Sequence, residues 1–183
     1  MDPSRNIQQK IQFEINQFIS NSKNSETLQN QSKKYLPGGN SRRSAYFDPY
    51  PTYFNKGSGK YVFDVDNNKY LDYMLNATSL ILGHSHPEVV SEIQKQTMLG
   101  TAFSGPTESQ IELAKMLCNN IPSVDLIRFT NSGTEATMMA IRAARAYTKK
   151  SKIVKIEGAY HGSHEYVSIS VYPEKSNQKT SKI

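Results

Sequence analysis

Cysteine is nearly missing from this chain of 183 residues; Cys118 stands alone, so no internal disulfide can form. A lone thiol in an amphipathic helical pattern fits a reduced, cytoplasmic setting. Long apolar runs are missing as well. No stretch approaches bilayer-spanning length, and the first residues lack the uninterrupted apolar core of a signal peptide, so no membrane role is expected. Blocks of like charge are absent: 22 Lys and Arg against 16 Asp and Glu give a net charge of +6 spread along the chain. That distribution reads as a solvated basic surface rather than a nucleic-acid groove. His84 and His86 have no third ligand at a recognisable spacing, which leaves them as turn and cap residues rather than a metal site.

The hydrophobic content of 37% is low but adequate for a core, and the length suits one domain, or one and part of another. Three regions follow. In residues 1–34, Ile7, Ile11, Ile15, Phe18 and Ile19 share one helical face, and Asn21 to Gln31 reads as a polar linker. Its polar face is mostly uncharged, which argues for packing on protein rather than on a membrane.

Residues 35–80 open with the loop Leu36-Pro37-Gly38-Gly39-Asn40-Ser41-Arg42-Arg43. Its arginines either face solvent or recognise a carboxylate, for which a guanidinium fork is suited. An extended, proline-punctuated aromatic run, Tyr46 to Phe54, comes next. Lys60–Val65 and Tyr70–Met74 then flank Asp66-Asn67-Asn68-Lys69, the pattern of a β-hairpin.

In residues 81–183, Pro87 and Gly100 bracket one helix. Thr107-Glu108-Ser109-Gln110 reads as a capping box at the start of a second, which Pro122 ends. An apolar strand, Val124 to Phe129, leads through Ser132-Gly133-Thr134 into an alanine-rich helix reaching about Lys149. A short strand, Lys152 to Glu157, follows. Strand, helix and strand with short joins make a βαβ unit, hence an α/β fold with a parallel sheet. Ligands of such sheets bind beyond the carboxyl ends of the strands. Two turns lie there: Ser132-Gly133-Thr134, and Glu157-Gly158-Ala159-Tyr160-His161-Gly162.

The first turn is either a helix cap or an anion site, because the leading amides of a helix lack internal partners and carry partial positive charge. No Gly-Lys-Ser/Thr ends it, which disfavours a nucleotide P-loop. In the second turn Tyr160 offers a flat face and His161 a titratable donor, although a half-buried Tyr-His pair is the plainer reading of those two alone. Taken together, the turns describe a pocket for a phosphorylated aromatic heterocycle.

Five segments in order carry a resemblance: Leu36 to Arg42, Phe63-Asp64-Val65-Asp66, Leu82-Gly83-His84-Ser85-His86-Pro87, Arg128 to Ala136, and Glu157 to Gly162. The stretch from about Tyr35 to Val171 resembles the N-terminal part of class III pyridoxal-phosphate aminotransferases, on the branch of glutamate-1-semialdehyde 2,1-aminomutase and related aminotransferases. The resemblance implies fold-type I, with an N-terminal segment followed by the first part of the large parallel-sheet domain. It implies pyridoxal 5'-phosphate as cofactor, a small amino-acid or amino-aldehyde substrate, and a homodimer with active sites at the subunit interface. By position, Ser132, Gly133 and Thr134 would hold the phosphate, Tyr160 would stack on the ring with His161 beside it, and Glu157 would lie near the site. Arg42 matches an arginine that binds substrate carboxylate in several relatives. Ala77 departs from the pattern, standing where close relatives carry a pocket-shaping aromatic.

No lysine in these motifs matches the one that forms the family's Schiff base, and family members run well beyond Ile183. The chain alone is therefore expected not to catalyse transamination. The alternative is a truncated, non-catalytic homologue that binds a phosphate ligand or a full-length partner. The motifs are common to mutases and aminotransferases.

Overall fold

The computed structural model describes residues 3–42 and 45–171, and the chain divides into two compact units, Met1–Ala102 and Phe103–Ile183. Arg43 and the tail from Glu174 to Ile183 lie outside the described residues. Among the described residues no helix is long and apolar enough to cross a membrane, and no cluster of side chains is set to hold a metal.

In the first unit, helix α1 spans Pro3–Asn21. Its apolar face is only partly covered: Phe18 packs against Phe47 and Tyr50 at centroid distances of 5.8 and 5.2 Å, while Ile7, Ile11 and Phe13 stay exposed. The polar linker expected over Asn21–Gln31 is instead helix α2, Lys23–Ser32. Its order comes from tertiary hydrogen bonds that leave no hydrophobic period to read. Asp66, from the hairpin turn, accepts from the amides of Asn24 and Ser25 at 2.7 and 3.1 Å, placing a carboxylate on the helix N-terminus. Buried Gln29 accepts from the Tyr53 hydroxyl at 2.9 Å and donates to the Gly38 carbonyl at 3.3 Å.

Strands β1 (Phe54–Ser58), β2 (Tyr61–Asp64) and β3 (Lys69–Leu71) form an antiparallel sheet in that order. The β2–β3 hairpin is as the sequence indicates, with Asn67 at φ 67° in the turn. Strand β1 is the addition, paired on β2 with a register irregularity between Phe54 and Lys56. Asp64, at the end of β2, is fully buried and accepts four bonds: from the Tyr70 hydroxyl (2.7 Å), the Asn68 side-chain amide (2.9 Å), and the Asp66 and Asn68 backbone amides (2.9 and 2.8 Å). Those donors replace the water that the carboxylate loses.

Gly59 and His84 exchange backbone hydrogen bonds of 2.8 Å in each direction, tying the Gly-His segment to the sheet. A Cβ on Gly57 would lie 2.5 Å from the His84 ring, so only glycine admits it. Helix α4, Pro87–Leu99, has proline in its first turn and Gly100 at its C-cap, as expected.

In the second unit, α5 covers Glu108–Asn120. The expected capping box does not form. Thr107 makes no side-chain cap bond and meets the Ser109 hydroxyl at 3.1 Å instead. Helix α6 covers Gly133–Thr148. The segments 124–129 and 152–157 flank it, Arg128 and Thr130 along one side and Ile153, Val154 and Lys155 along another. Neither carries the parallel ladder that the strand-helix-strand pattern indicates. A ladder needs a neighbouring strand about 4.8 Å away, and none is offered among the described residues. Leu126, Val154 and Ile156 are accordingly exposed at 92%, 99% and 77%.

The Asp64 cluster sets the pH response of the first unit. Burial pushes the Asp64 carboxyl up, but bonds from Asn68 and Tyr70 outweigh it and hold the group below its ordinary 3.8. Burial and the Asp64 bond push the Tyr70 hydroxyl up to about 12 from 10.0. The Asp64 contribution is thus present above its ordinary value and lost as pH falls through the lowered one. The Tyr70 contribution is full below 10 and lost as pH rises towards 12. Urea midpoints are expected to decline over that alkaline interval, and Tyr70→Phe to remove the part due to Tyr70. An unchanged alkaline limb in that variant would refute the assignment.

Candidate functional site

The site is built from the residues around the N-terminus of α6. Ser132 is the N-cap, extended at φ −153°, and its hydroxyl oxygen accepts from the Glu135 amide at 3.1 Å. Glu135 in turn accepts from the Asn131 amide at 2.7 Å. This is a Ser-x-x-Glu capping arrangement shifted by one residue. The first intrahelical amide bond runs from Ala136 to the Ser132 carbonyl, so the Gly133 and Thr134 amides lie ahead of the helical ladder. Nothing lies within 4 Å of where a Gly133 Cβ would stand.

The Tyr160-His161-Gly162 turn faces this helix end. Gly162 is buried with φ 104°, and a Cβ there would lie 2.9 Å from the Thr134 Cα. Only glycine combines that backbone with so close an approach. The Ser163 amide donates to the Thr134 hydroxyl at 3.2 Å, and the Thr137 hydroxyl lies 2.8 Å from the His161 carbonyl and 3.2 Å from His164 Nε2. Thr137 and Ser163 carry no sequence signal for this role; only the fold brings them to it.

The result is a depression of about 480 Å³ lined by Ser132, Gly133, Thr134, Thr137, Tyr160, His161 and Gly162. Tyr160 is 65% exposed and available for stacking. Five of the six expected cofactor residues are therefore together. Glu157 stands exposed in the turn and outside the lining. An anion fits here by its chemistry: leading helix amides, the Ser132 and Thr134 hydroxyls beside them, open space at Gly133 and, among the described residues, no carboxylate in the lining.

Arg42 belongs to the first unit. Its amide donates to Asn40 Oδ1 at 2.8 Å, its carbonyl accepts from Asn40 Nδ2 at 2.9 Å, and its guanidinium Nη1 donates to Asn76 Oδ1 at 2.9 Å. Asn76 lies in a one-turn left-handed helix, α3, Leu75–Thr78, with φ between 45 and 69° at all four residues. Such a turn costs about 1–2 kcal/mol per L-residue. Asp72 supports it, accepting from the Met74 and Leu75 amides at 2.9 and 3.0 Å through Oδ1, while Oδ2 meets His84 Nε2 at 2.6 Å. That His84 bond holds the Asp72 carboxyl below the usual carboxylate range.

An open helix N-terminus faced by an aromatic-histidine turn suits, by its chemistry, an anionic, ring-bearing ligand. The class III aminotransferase family model matches residues 44–182, and the chain belongs to that family. It is 49% identical over 152 residues to glutamate-1-semialdehyde 2,1-aminomutase of Methanobrevibacter smithii, covering 83% of this chain and 36% of that protein. An ω-transaminase from Sphaerobacter thermophilus has a TM-score of 0.79 at 42% identity, over 83% of this chain and 36% of that one. For a β-phenylalanine aminotransferase from Variovorax paradoxus the TM-score is 0.83 at 32% identity, over 86% and 36%. The architecture is that of fold-type I transaminases, and the chain spans about a third of the length of these relatives.

Gly162→Ala is expected to force the two turns apart and to destabilise the second unit by about 1–3 kcal/mol. Thr137→Val, which removes the His161 anchor, should cost about 1 kcal/mol. Hydrogen exchange at the Ser163 amide is the readout: faster exchange in Gly162→Ala is expected, and native protection would refute the contact.

Proposed function

We propose that this chain is the N-terminal part of a pyridoxal-phosphate-dependent enzyme of the glutamate-1-semialdehyde 2,1-aminomutase type, moving an amino group on a small amino-acid or amino-aldehyde substrate. The observation that carries the reading is the close approach of Gly162 to Thr134, which sets Tyr160 and His161 opposite the open amides of Gly133 and Thr134. Similarity to a curated aminomutase at 49% identity supports the reaction type. On this reading residues 1–34 are an N-terminal helical segment, 35–80 a small-domain segment, and 81–183 the first part of the cofactor domain. The functional enzyme is a cytoplasmic homodimer, in keeping with the lone Cys118 and the exposed apolar residues of both units.

Ser132, Gly133 and Thr134 bind the phosphate through backbone amides and hydroxyls, aided by the α6 dipole. Tyr160 orients the ring by stacking, His161 presents a titratable nitrogen beside it, and Glu157 stands at the edge of the site. Arg42 draws the substrate carboxylate. The cofactor, when bound, supplies the electron sink that makes bonds at the amino-bearing carbon labile. Among the described residues no lysine lines the depression, in keeping with a chain that alone binds the cofactor without turning substrate over.

Titration of the 183-residue chain with pyridoxal 5'-phosphate and with pyridoxal tests this directly. The phosphate ester is expected to bind at least about tenfold more tightly, and Gly133→Val, which fills the open space, to erase that difference. Borohydride treatment followed by peptide mapping should fix no pyridoxyl group on a unique lysine. Equal binding of the two ligands would sink the phosphate assignment, and a uniquely labelled lysine would sink the claim of no turnover.

A further inference from the structure

The strained turn α3 has no part in holding the cofactor, yet it is tied down more firmly than its exposure warrants. Asp72 accepts from the Leu75 amide that opens it and from the Met74 amide just before, and is itself bonded to His84, which the Gly59 bridge fixes to the sheet. Within the turn, the Ser79 hydroxyl donates to the Asn76 carbonyl at 3.0 Å, and Asn76 Nδ2 donates to that hydroxyl at 3.1 Å. The Asn76 amide is thereby oriented, with Oδ1 turned to Arg42. Backbone strain maintained by surrounding bonds gathers where a side chain must be aimed.

The chemistry of the contact matters as much as its geometry. Arg42 meets a neutral amide oxygen, and among the described residues no carboxylate pairs with it. A guanidinium fixed by Asp or Glu would have its charge largely compensated. One fixed by Asn is held in place through Nη1 but keeps its full charge and its remaining donors. Asn tolerates the left-handed backbone while offering that oxygen, which Ala or Leu does not.

We infer that Asn76 is a positioning residue for substrate specificity: held in the left-handed turn, it aims Arg42 and leaves it charged for the carboxylate of an amino-acid substrate. The inference rests on the reading of Arg42 given above. It assigns the neutral partner, rather than the arginine, the choice between carboxylate and uncharged substrates.

The test follows the Arg42 side-chain N–H signal by NMR in the 183-residue chain during titration with 4-aminobutanoate and, separately, 4-aminobutanamide. The native chain should show a saturable shift with the carboxylate and none with the amide. Asn76→Gly, which keeps the left-handed backbone at low cost, should weaken carboxylate binding by about tenfold. Asn76→Asp, nearly the same shape and tolerant of positive φ, should abolish the shift because the introduced carboxylate occupies the guanidinium. A merely structural role for Asn76 would leave Asn76→Asp binding as the native chain does, and that result overturns the inference. Native-like binding in Asn76→Gly overturns it too. An Arg42 signal unresponsive in the native chain overturns the carboxylate reading of Arg42 and this inference with it. Pyridoxal-phosphate binding at Ser132–Thr134 is read separately and is expected to be the same in all three chains, so failure of the cofactor reading is told apart. Unchanged β2 amide signals confirm that each variant is folded.

Discussion

Everything proposed for the second unit depends on one contact, the backbone of Gly162 lying against the first turn of α6. A helix N-terminus alone attracts any anion and selects none. Gly162, at φ 104° and with no room for a Cβ against Thr134, brings a second turn to within hydrogen-bond reach of the first. Ser163 and Thr137 then fasten it with side-chain bonds. On the proposed reading, selectivity for a ligand with both a phosphate and a flat ring would come from that apposition, which brings Tyr160 into the same lining as the open amides.

The first unit is held by different physics. Its fully buried side chains include Ser22, Ser25, Gln29 and Asp64, and its order comes from satisfied polar groups more than from a large apolar core. Asp64 and Asp66 do complementary work. The first closes the hairpin on itself, and the second reaches out from the same turn to cap α2. The family-like segment Phe63-Asp64-Val65-Asp66 therefore has a structural explanation that owes nothing to catalysis.

What could be read from the sequence divides along the same line. The hairpin, α4, α6 and the Ser132 and Tyr160 turns were legible because each rests on local signals: an Asx-rich turn, a proline and a glycine at helix ends, alanine periodicity. Helix α2 was not, because its burial uses Ser25 and Gln29, which carry no hydrophobic period, and its cap comes from Asp66, 41 residues from Ser25. The capping box at Thr107 had the right residues and yet the hydroxyl found Ser109. The left-handed turn at Leu75–Thr78 contains no glycine, so nothing local announced it; Asp72 and Ser79 stabilise it from either side. The parallel ladder was inferred from apolar runs that the structure leaves exposed, which shows how far strand formation depends on a neighbour as well as on composition.

The central claim is that the α6 N-terminus and the Gly162 turn together hold the cofactor phosphate, and phosphorus NMR of pyridoxal 5'-phosphate bound to the chain tests it most directly. A free phosphate ester titrates with a second pKa of about 6. Held by helix amides and hydroxyls it should stay dianionic, so the bound resonance is predicted to be constant between about pH 5 and 8, and to titrate again in Gly162→Ala. A bound resonance that follows the free ester through that range in the native chain would contradict the account.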